Sequence, residues 1–305
     1  MERRSEGSIT ITERKLLDSI PSGSGIVLKN GVAYVIGDDA TGVYVLNVDD
    51  YTQRKIPITA FDQSLYREAK SVKRDFESSA IVTWYGTEYL LAFGSGSSSP
   101  LRDSLLVVRT SDPADNRIIS LQKFYKHLQE VTLSNAGAWN LEGATVTNDL
   151  LILFNRAGNI VIRISANDFL SHILGGESVV PAIEFERVKL PMIGDHEARL
   201  SGACTLNNDL IIFCASVEDT PDWIQDGPVL GSVIGIYSLQ KKSVLASFLL
   251  KDANGVIVKE KIESLDISGK PAKDEISLVA IADNDNGTSI LYKLALLIPP
   301  GLELK

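Results

Sequence analysis

The run GATVTNDLLILFNRAGNIVIRIS, residues 143–165, decides how this chain folds. Its apolar residues fall in three short bursts, ATV, LLILF and IVIRI, separated by Asn148-Asp149 and by the polar stretch NRAGN. Bursts of that length between Asn, Asp and Gly read as β-strands. The Asn-Asp step reads as a tight hairpin, because these residues tolerate the positive φ such turns demand.

The same unit recurs on both sides. Copies run over residues 25–48 (GIVLKNGVAYVIGDDATGVYVLNV), 79–109 (SAIVTWYGTEYLLAFGSGSSSPLRDSLLVVR) and 264–296 (SLDISGKPAKDEISLVAIADNDNGTSILYKLAL). Another begins with GACTLNNDLIIFCAS, residues 202–216, and takes its third strand from SVIGIYSL, residues 232–239. A repeat of this length in an all-β pattern indicates a propeller. Segments 53–58, 117–124, 179–190 and 243–250 supply a fourth, outer strand to four of the copies, and four antiparallel strands make a blade. The last copy lacks an outer strand, while ITITERKLL, residues 9–17, is a spare one. Pairing the two closes the ring and hides its edges. The expectation is one all-β domain over residues 1–305, a β-propeller of about five four-stranded blades. A sixth blade has room only in residues 60–74 or 126–139, and short helices fit 121–131 and 166–174.

Composition narrows the function. Thirty basic against thirty-nine acidic residues give a net charge of -9, which repels a phosphate backbone and argues against nucleic acid as a partner. No apolar run is long enough to span a bilayer, so no membrane partner is expected. The start, MERRSEGS, has no apolar leader segment, so as written the chain reads as cytoplasmic. Cys204 and Cys214 fall on neighbouring strands but not opposite each other, which predicts buried thiols rather than a disulfide.

Aligned on their first strands, the copies place Ser24, Glu77, Glu142, Ser201 and Glu263 at one repeated point, where each inner strand begins. In a closed ring these side chains meet at one channel mouth. Adjacent carboxylates there repel unless a cation or a shared proton relieves them. Oxygen ligands favour a hard ion such as calcium. Two residues earlier stand Asp75, Asn140, Arg199 and Lys261, so the alternative is a structural ring in which Arg199 and Lys261 neutralise the glutamates.

Loops on the same face carry Asp38 and Asp39, the Gly-Ser run 94–99 followed by Arg102, Asn155 with Arg156, and the sequence Asp283 to Asn286. The Gly-Ser run offers amides and hydroxyls to an oxyanion, and Asp283 and Asp285 resemble half of a calcium loop. An insertion at 217–230 with Trp223 has the length and the aromatic residue of a lid. His127, His172 and His196 fall between blades and read as surface residues. The chain has no GxSxG, HExxH, P-loop or CxxC motif.

The stretches DFESSAIV (75–82), LLAFGSGSSSPLRD (90–103), NLEGATV (140–146), KIESLDIS (261–268) and ADNDNGTSILYKL (282–294) resemble an uncharacterised bacterial propeller family. That family is similar in turn to the phytase-like propellers named for esterase-like activity. The resemblance covers about two thirds of the chain. It implies that a Glu-Gly or Glu-Ala pair opens inner strands and an Asp-rich loop ends a later hairpin. The matching positions are Glu77, Glu142, Glu263, Asp283 and Asp285, with Ser264 standing where the pattern favours glycine. Three functions follow as expectations. The first is a module binding a small polar ligand or a divalent cation through the mouth residues and Trp223. The others are a scaffold for a protein partner and a metal-dependent phosphate or carboxylic ester hydrolase using Arg102, Arg156, Arg199 and Lys261. Whether the protein is an enzyme stays open at this point.

Overall fold

The computed structural model describes residues 7–132, 139–220, 227–272, 274–284 and 286–302. Strand β1 (Ser8–Leu17) comes first. Blade one is β2 (Gly23–Lys29), β3 (Val32–Gly37), β4 (Gly42–Asn47) and β5 (Gln53–Pro57). Blade two is β6 (Phe76–Trp84), β7 (Thr87–Gly94), β8 (Ser104–Arg109) and β9 (Asn116–Ser120), followed by helix α1 (Gln122–Thr132). Blade three is β10 (Leu141–Thr147), β11 (Leu150–Asn155), β12 (Ile160–Ser165) and, after helix α2 (Ala166–Ile173), β13 (Ile183–Arg187). A small hairpin, β14 (Met192–Ile193) and β15 (His196–Glu197), leads to blade four: β16 (Arg199–Thr205), β17 (Leu210–Glu218), β18 (Val229–Ser238) and β19 (Ser243–Leu249). Blade five is β20 (Ile262–Ile267), β21 (Glu275–Asp283) and β22 (Ser289–Leu297), with β1 as its outer strand.

Each blade is a four-stranded antiparallel meander, and the inner strands neighbour one another in the cycle β2, β6, β10, β16, β20 and back to β2. The ring closes as the spare strand predicts: β1 pairs antiparallel with β22 from Ser8↔Leu297 to Leu17↔Ser289. Two of the segments with room for a further blade take other forms. Residues 60–74 are turns and loop with a single bridge at Arg67, and α1 occupies 126–132. Among the described residues there are five blades.

The core lies between blades. Five apolar clusters fill the five seams, because the strands of each blade send alternate side chains to the blade before and the blade after. Ile36 and Val43 of blade one meet Phe76 and Leu90 of blade two, and Phe154 of blade three meets Leu200 and Phe213 of blade four. Both faces of a blade are thus buried, which is why its second strand reads as an unbroken apolar run. Cys204 and Cys214 are buried and free, and Cys214 stands opposite Gly202 rather than Cys204.

Near the axis the inner strands crowd together at one level, occupied by Gly25, Ser78, Gly143, Gly202 and Ser264. A Cβ on Gly202 would lie 2.6 Å from the carbonyl oxygen of Glu263 and 2.7 Å from the Cα of Ser264, both backbone atoms of the next blade. On Gly143 it would lie 3.2 Å from the Cα of Gly202. The small residues form a waist across the channel.

Below the waist the seam between the first and last blades is latched by Asp266, whose Oδ2 accepts the Leu28 amide at 2.6 Å and whose Oδ1 accepts the Ile267 amide at 2.7 Å. Burial pushes this carboxyl up from 3.8 to about 6 despite both hydrogen bonds. The folded state therefore holds a proton that the unfolded chain releases, so stability falls as pH rises from about 4 to about 6 and is level above. Asp266→Asn, which keeps an acceptor for the Leu28 amide, is expected to remove that decline. Its one amide oxygen cannot also serve the Ile267 amide, so any gain in stability at pH 7 stays below the roughly 3 kcal/mol that the shift alone would give. Urea titrations of both proteins at pH 4 and pH 7 check this. Equal pH dependence would show that the carboxylate is well hydrated. Among the described residues, no helix is long and apolar enough to cross a membrane.

Candidate functional site

The five residues aligned from sequence occupy one structural position. In every blade the ladder between the first and second strands skips one residue near its start. The breaks fall between Gly23 and Gly25, Phe76 and Ser78, Leu141 and Gly143, Leu200 and Gly202, and Ile262 and Ser264. The residues passed over are Ser24, Glu77, Glu142, Ser201 and Glu263. A bulge re-aims a side chain out of the alternation of its strand, and here it does so just above the waist in all blades.

On one side of the cup, blades three, four and five share a buried ion network. Arg156, 2% exposed, donates from Nη1 to Glu142 Oε2 at 3.2 Å and to Ser216 Oγ at 3.0 Å, and from Nη2 to Glu218 Oε1 at 2.7 Å. Lys261 Nζ lies 3.1 Å from Glu263 and 3.7 Å from Glu142, spanning from blade five to blade three. Asn140 donates to Glu142 Oε1 at 2.8 Å. Burial works against the Lys261 ammonium, but Glu142 and Glu263 outweigh it and raise its affinity for the proton well above the ordinary value. For Glu142 and Glu263, the neutralising-ring alternative describes the geometry, with Lys261 and Arg156 as the neutralising groups.

The other side differs. Lys73, from the connection between blades one and two, contacts Asp38 and lies 2.6 Å from Asp75 Oδ1. Arg102 reaches Asp75 Oδ2 at 2.7 Å, and the Ser95 hydroxyl donates to the same oxygen at 2.5 Å. Burial pushes Asp75 up, yet Lys73, Arg102 and Ser95 together hold it below the usual carboxylate range. Glu77 stands beside this pair: one carboxylate oxygen from each of Asp38, Asp75 and Glu77 falls within 4.8 Å of the others. Glu77 itself makes no hydrogen bond or ion pair among the described residues. Burial, then repulsion from Asp75, Asp38 and Glu142, outweighs the attraction of Lys73 and pushes its carboxyl well above the ordinary range. Its side chain keeps some contact with solvent, so it walls an open cup rather than a sealed core.

The remaining candidates divide. The hydroxyls of Ser24 and Ser201 are turned to backbone, donating to Ser22 O at 3.0 Å and Ile262 O at 2.6 Å. Arg199 donates to Thr220 O at 2.8 Å rather than to a glutamate. Asp283 is near enough to act electrostatically on Glu263 and on Arg67. Trp223 and Asp285 lie outside the described residues. The expected insertion is shorter than its sequence reads, since Val217 and Glu218 belong to β17 and β18 starts at Val229. All three histidines are partly exposed, and His196 Nε2 lies 3.3 Å from Asp219. Lys73 was not singled out, because it sits in a connection with no counterpart in other blades. Its spacing two residues before Asp75 was the available signal.

These features define a class: a five-bladed β-propeller with an acidic cup, partly neutralised from within, at one end of its axis. The chain belongs to a family of unknown function, DUF6929, whose profile matches residues 19–296. A search of curated proteins found no sequence match. Among solved structures, the Myxococcus xanthus glutaminyl cyclase is similar in fold, with a TM-score of 0.51 at 11% identity over 96% of this chain and 97% of that one. The major Malassezia sympodialis allergen Mala s 1 is similar too, with a TM-score of 0.52 at 11% identity over 93% of this chain and 96% of that one. At such identity the likeness is one of fold.

Proposed function

We propose that the protein is a binding module whose cup takes up a divalent cation, or a small polar ligand presenting positive charge, at Glu77, Asp38 and Asp75. The observation that carries this reading is Glu77, a carboxyl group beside two others in a cluster where three carboxylates share the nearby ammonium of Lys73, which itself pairs with Asp38 and Asp75. Elsewhere in the cup each glutamate already has a close cation. A hard cation bridging the three carboxylates would relieve their repulsion, and oxygen ligands of this kind suit calcium. The ester-hydrolase reading has less support. It needs cationic groups available to an anionic substrate, while Arg102, Arg156 and Lys261 are held in ion pairs with carboxylates.

Calcium at millimolar concentration is expected to raise the melting temperature by several degrees, since a ligand of the native state stabilises it by mass action. Glu77→Gln should abolish the shift while leaving the protein folded. If calcium, magnesium and manganese all leave the wild type unmoved, and isothermal titration detects no uptake, the cation reading fails.

A further inference from the structure

Lys73 places an ammonium among Asp38, Asp75 and Glu77. Its Nζ contacts Asp38 Oδ2 and lies 2.6 Å from Asp75 Oδ1. Burial works against this charge, and Asp75, Glu77 and Asp38 together outweigh it, so all three carboxylates act on one ammonium. A cation of the protein's own thus sits where a cation from solution would.

The way Lys73 is attached makes it exchangeable. Arg156, which neutralises Glu142 and Glu218, directly follows β11 and is fixed by a further hydrogen bond to Ser216. Lys73 instead belongs to the connection between blades one and two, most of which is exposed, and among the described residues only carboxylates hold its ammonium. The backbone there is held without it. The Glu68 amide donates to Asp39 O at 2.8 Å, the Lys73 amide to Ala69 O at 3.0 Å, and Arg74 Nη1 to Leu101 O at 3.3 Å. A flexible four-carbon stem can therefore carry the ammonium out to solvent by bond rotation while the connection stays in place.

Asp75 is divided between two tasks. Its Oδ2 accepts Arg102 and Ser95, while its Oδ1 meets Lys73. The carboxylate thus keeps its orientation when Lys73 leaves. Counted as ionised, three carboxylates face two basic groups, Lys73 and Arg102. Exchanging Lys73 for a divalent cation brings that sum to neutrality, whereas exchanging it for a monovalent one changes nothing.

We propose that Lys73 is a tethered competitor for the cup: its ammonium holds the ligand's place among Asp38, Asp75 and Glu77 until a divalent cation displaces it. This rests on the reading of the cup as a cation site. A tethered group acts at an effective concentration on the order of millimolar or higher, so monovalent ions, which offer the carboxylates no more charge than Lys73 does, are screened out. The apparent affinity for divalent ions is lowered by the fraction of time the place is free.

Isothermal titration of the full chain with calcium tests this, with Lys73→Met removing the charge and keeping much of the stem. Lys70→Met, at an exposed lysine of the same connection, controls for net charge. Lys73→Met is expected to bind calcium more tightly than the wild type by about tenfold or more, and Lys70→Met to match the wild type. Adding Glu77→Gln to Lys73→Met should cancel the gain. The wild type provides a second measurement that needs no variant. Acetylation of Lys73 by acetic anhydride, read by mass spectrometry, should be slow and should speed up several-fold on saturation with calcium, while that of Lys70 is unchanged. Equal or weaker calcium binding by Lys73→Met overturns the competitor and leaves the cup reading in place. So does acetylation of Lys73 that ignores calcium which the titration shows to be bound. Calcium uptake by neither the wild type nor Lys73→Met overturns both.

Discussion

Replacing Gly202 by alanine is expected to destabilise the protein by about 3 kcal/mol, and by valine more severely, although one to three added carbons are the whole change. The new Cβ would stand 2.6 Å from a backbone oxygen and 2.7 Å from a backbone Cα of blade five. Neither atom belongs to a flexible side chain, so the clash is relieved only by moving one blade against its neighbour. That opens the seam filled by Ile212, Ile234, Leu265 and Ile276. Gly143→Ala should cost less, because its tightest contact, at 3.0 Å, is with the Cβ of Phe154. Denaturant melts of the two variants measure the order. A loss below about 1 kcal/mol for Gly202→Ala would mean that the inner strands are not pressed together at the waist.

Arg156→Leu is expected to cost about 3–5 kcal/mol, because it strips Glu142 and Glu218 of a shared partner while leaving both carboxylates buried. Glu142 is 4% exposed and Glu218 4%, so water cannot readily take the place of the guanidinium. Adding Glu142→Gln and Glu218→Gln to the arginine variant removes the orphaned charges and should recover much of the loss. Such recovery separates the cost of uncompensated charge from the cost of lost packing. A single variant that unfolds at the wild-type denaturant midpoint would contradict the network as described.

The site's framework was legible in the residues for one reason: the repeat. Once copies are aligned on their hairpins, equivalence in sequence becomes equivalence around an axis, so Glu77, Glu142 and Glu263 could be grouped across nearly two hundred positions. The N-terminal strand was legible by the same route, since a unit lacking its outer strand and a strand lacking its unit answer each other. Even α1 and α2 could be placed from their spacing. Connections were not legible, having no second copy to align with. Lys73 and Arg67 come from the link between blades one and two, and nothing local marks them as neighbours of Asp38, Asp39 or Asp75.

Alternation of apolar bursts with hairpin residues determines strands, strands of repeated length determine blades, and blades with one spare edge at either terminus determine a ring. The first two steps depend on residues close together in the chain, and the third on matching a spare strand to a unit that lacks one, which is why sequence alone carries them. Which charges pair is a different kind of fact. Glu142 finds Lys261 and Arg156 finds Glu218 because side chains from separate blades are brought within about 4 Å of each other only when the blades pack around the axis. Coulomb interactions at that range then decide which carboxylates are neutralised by a close cation and which are not.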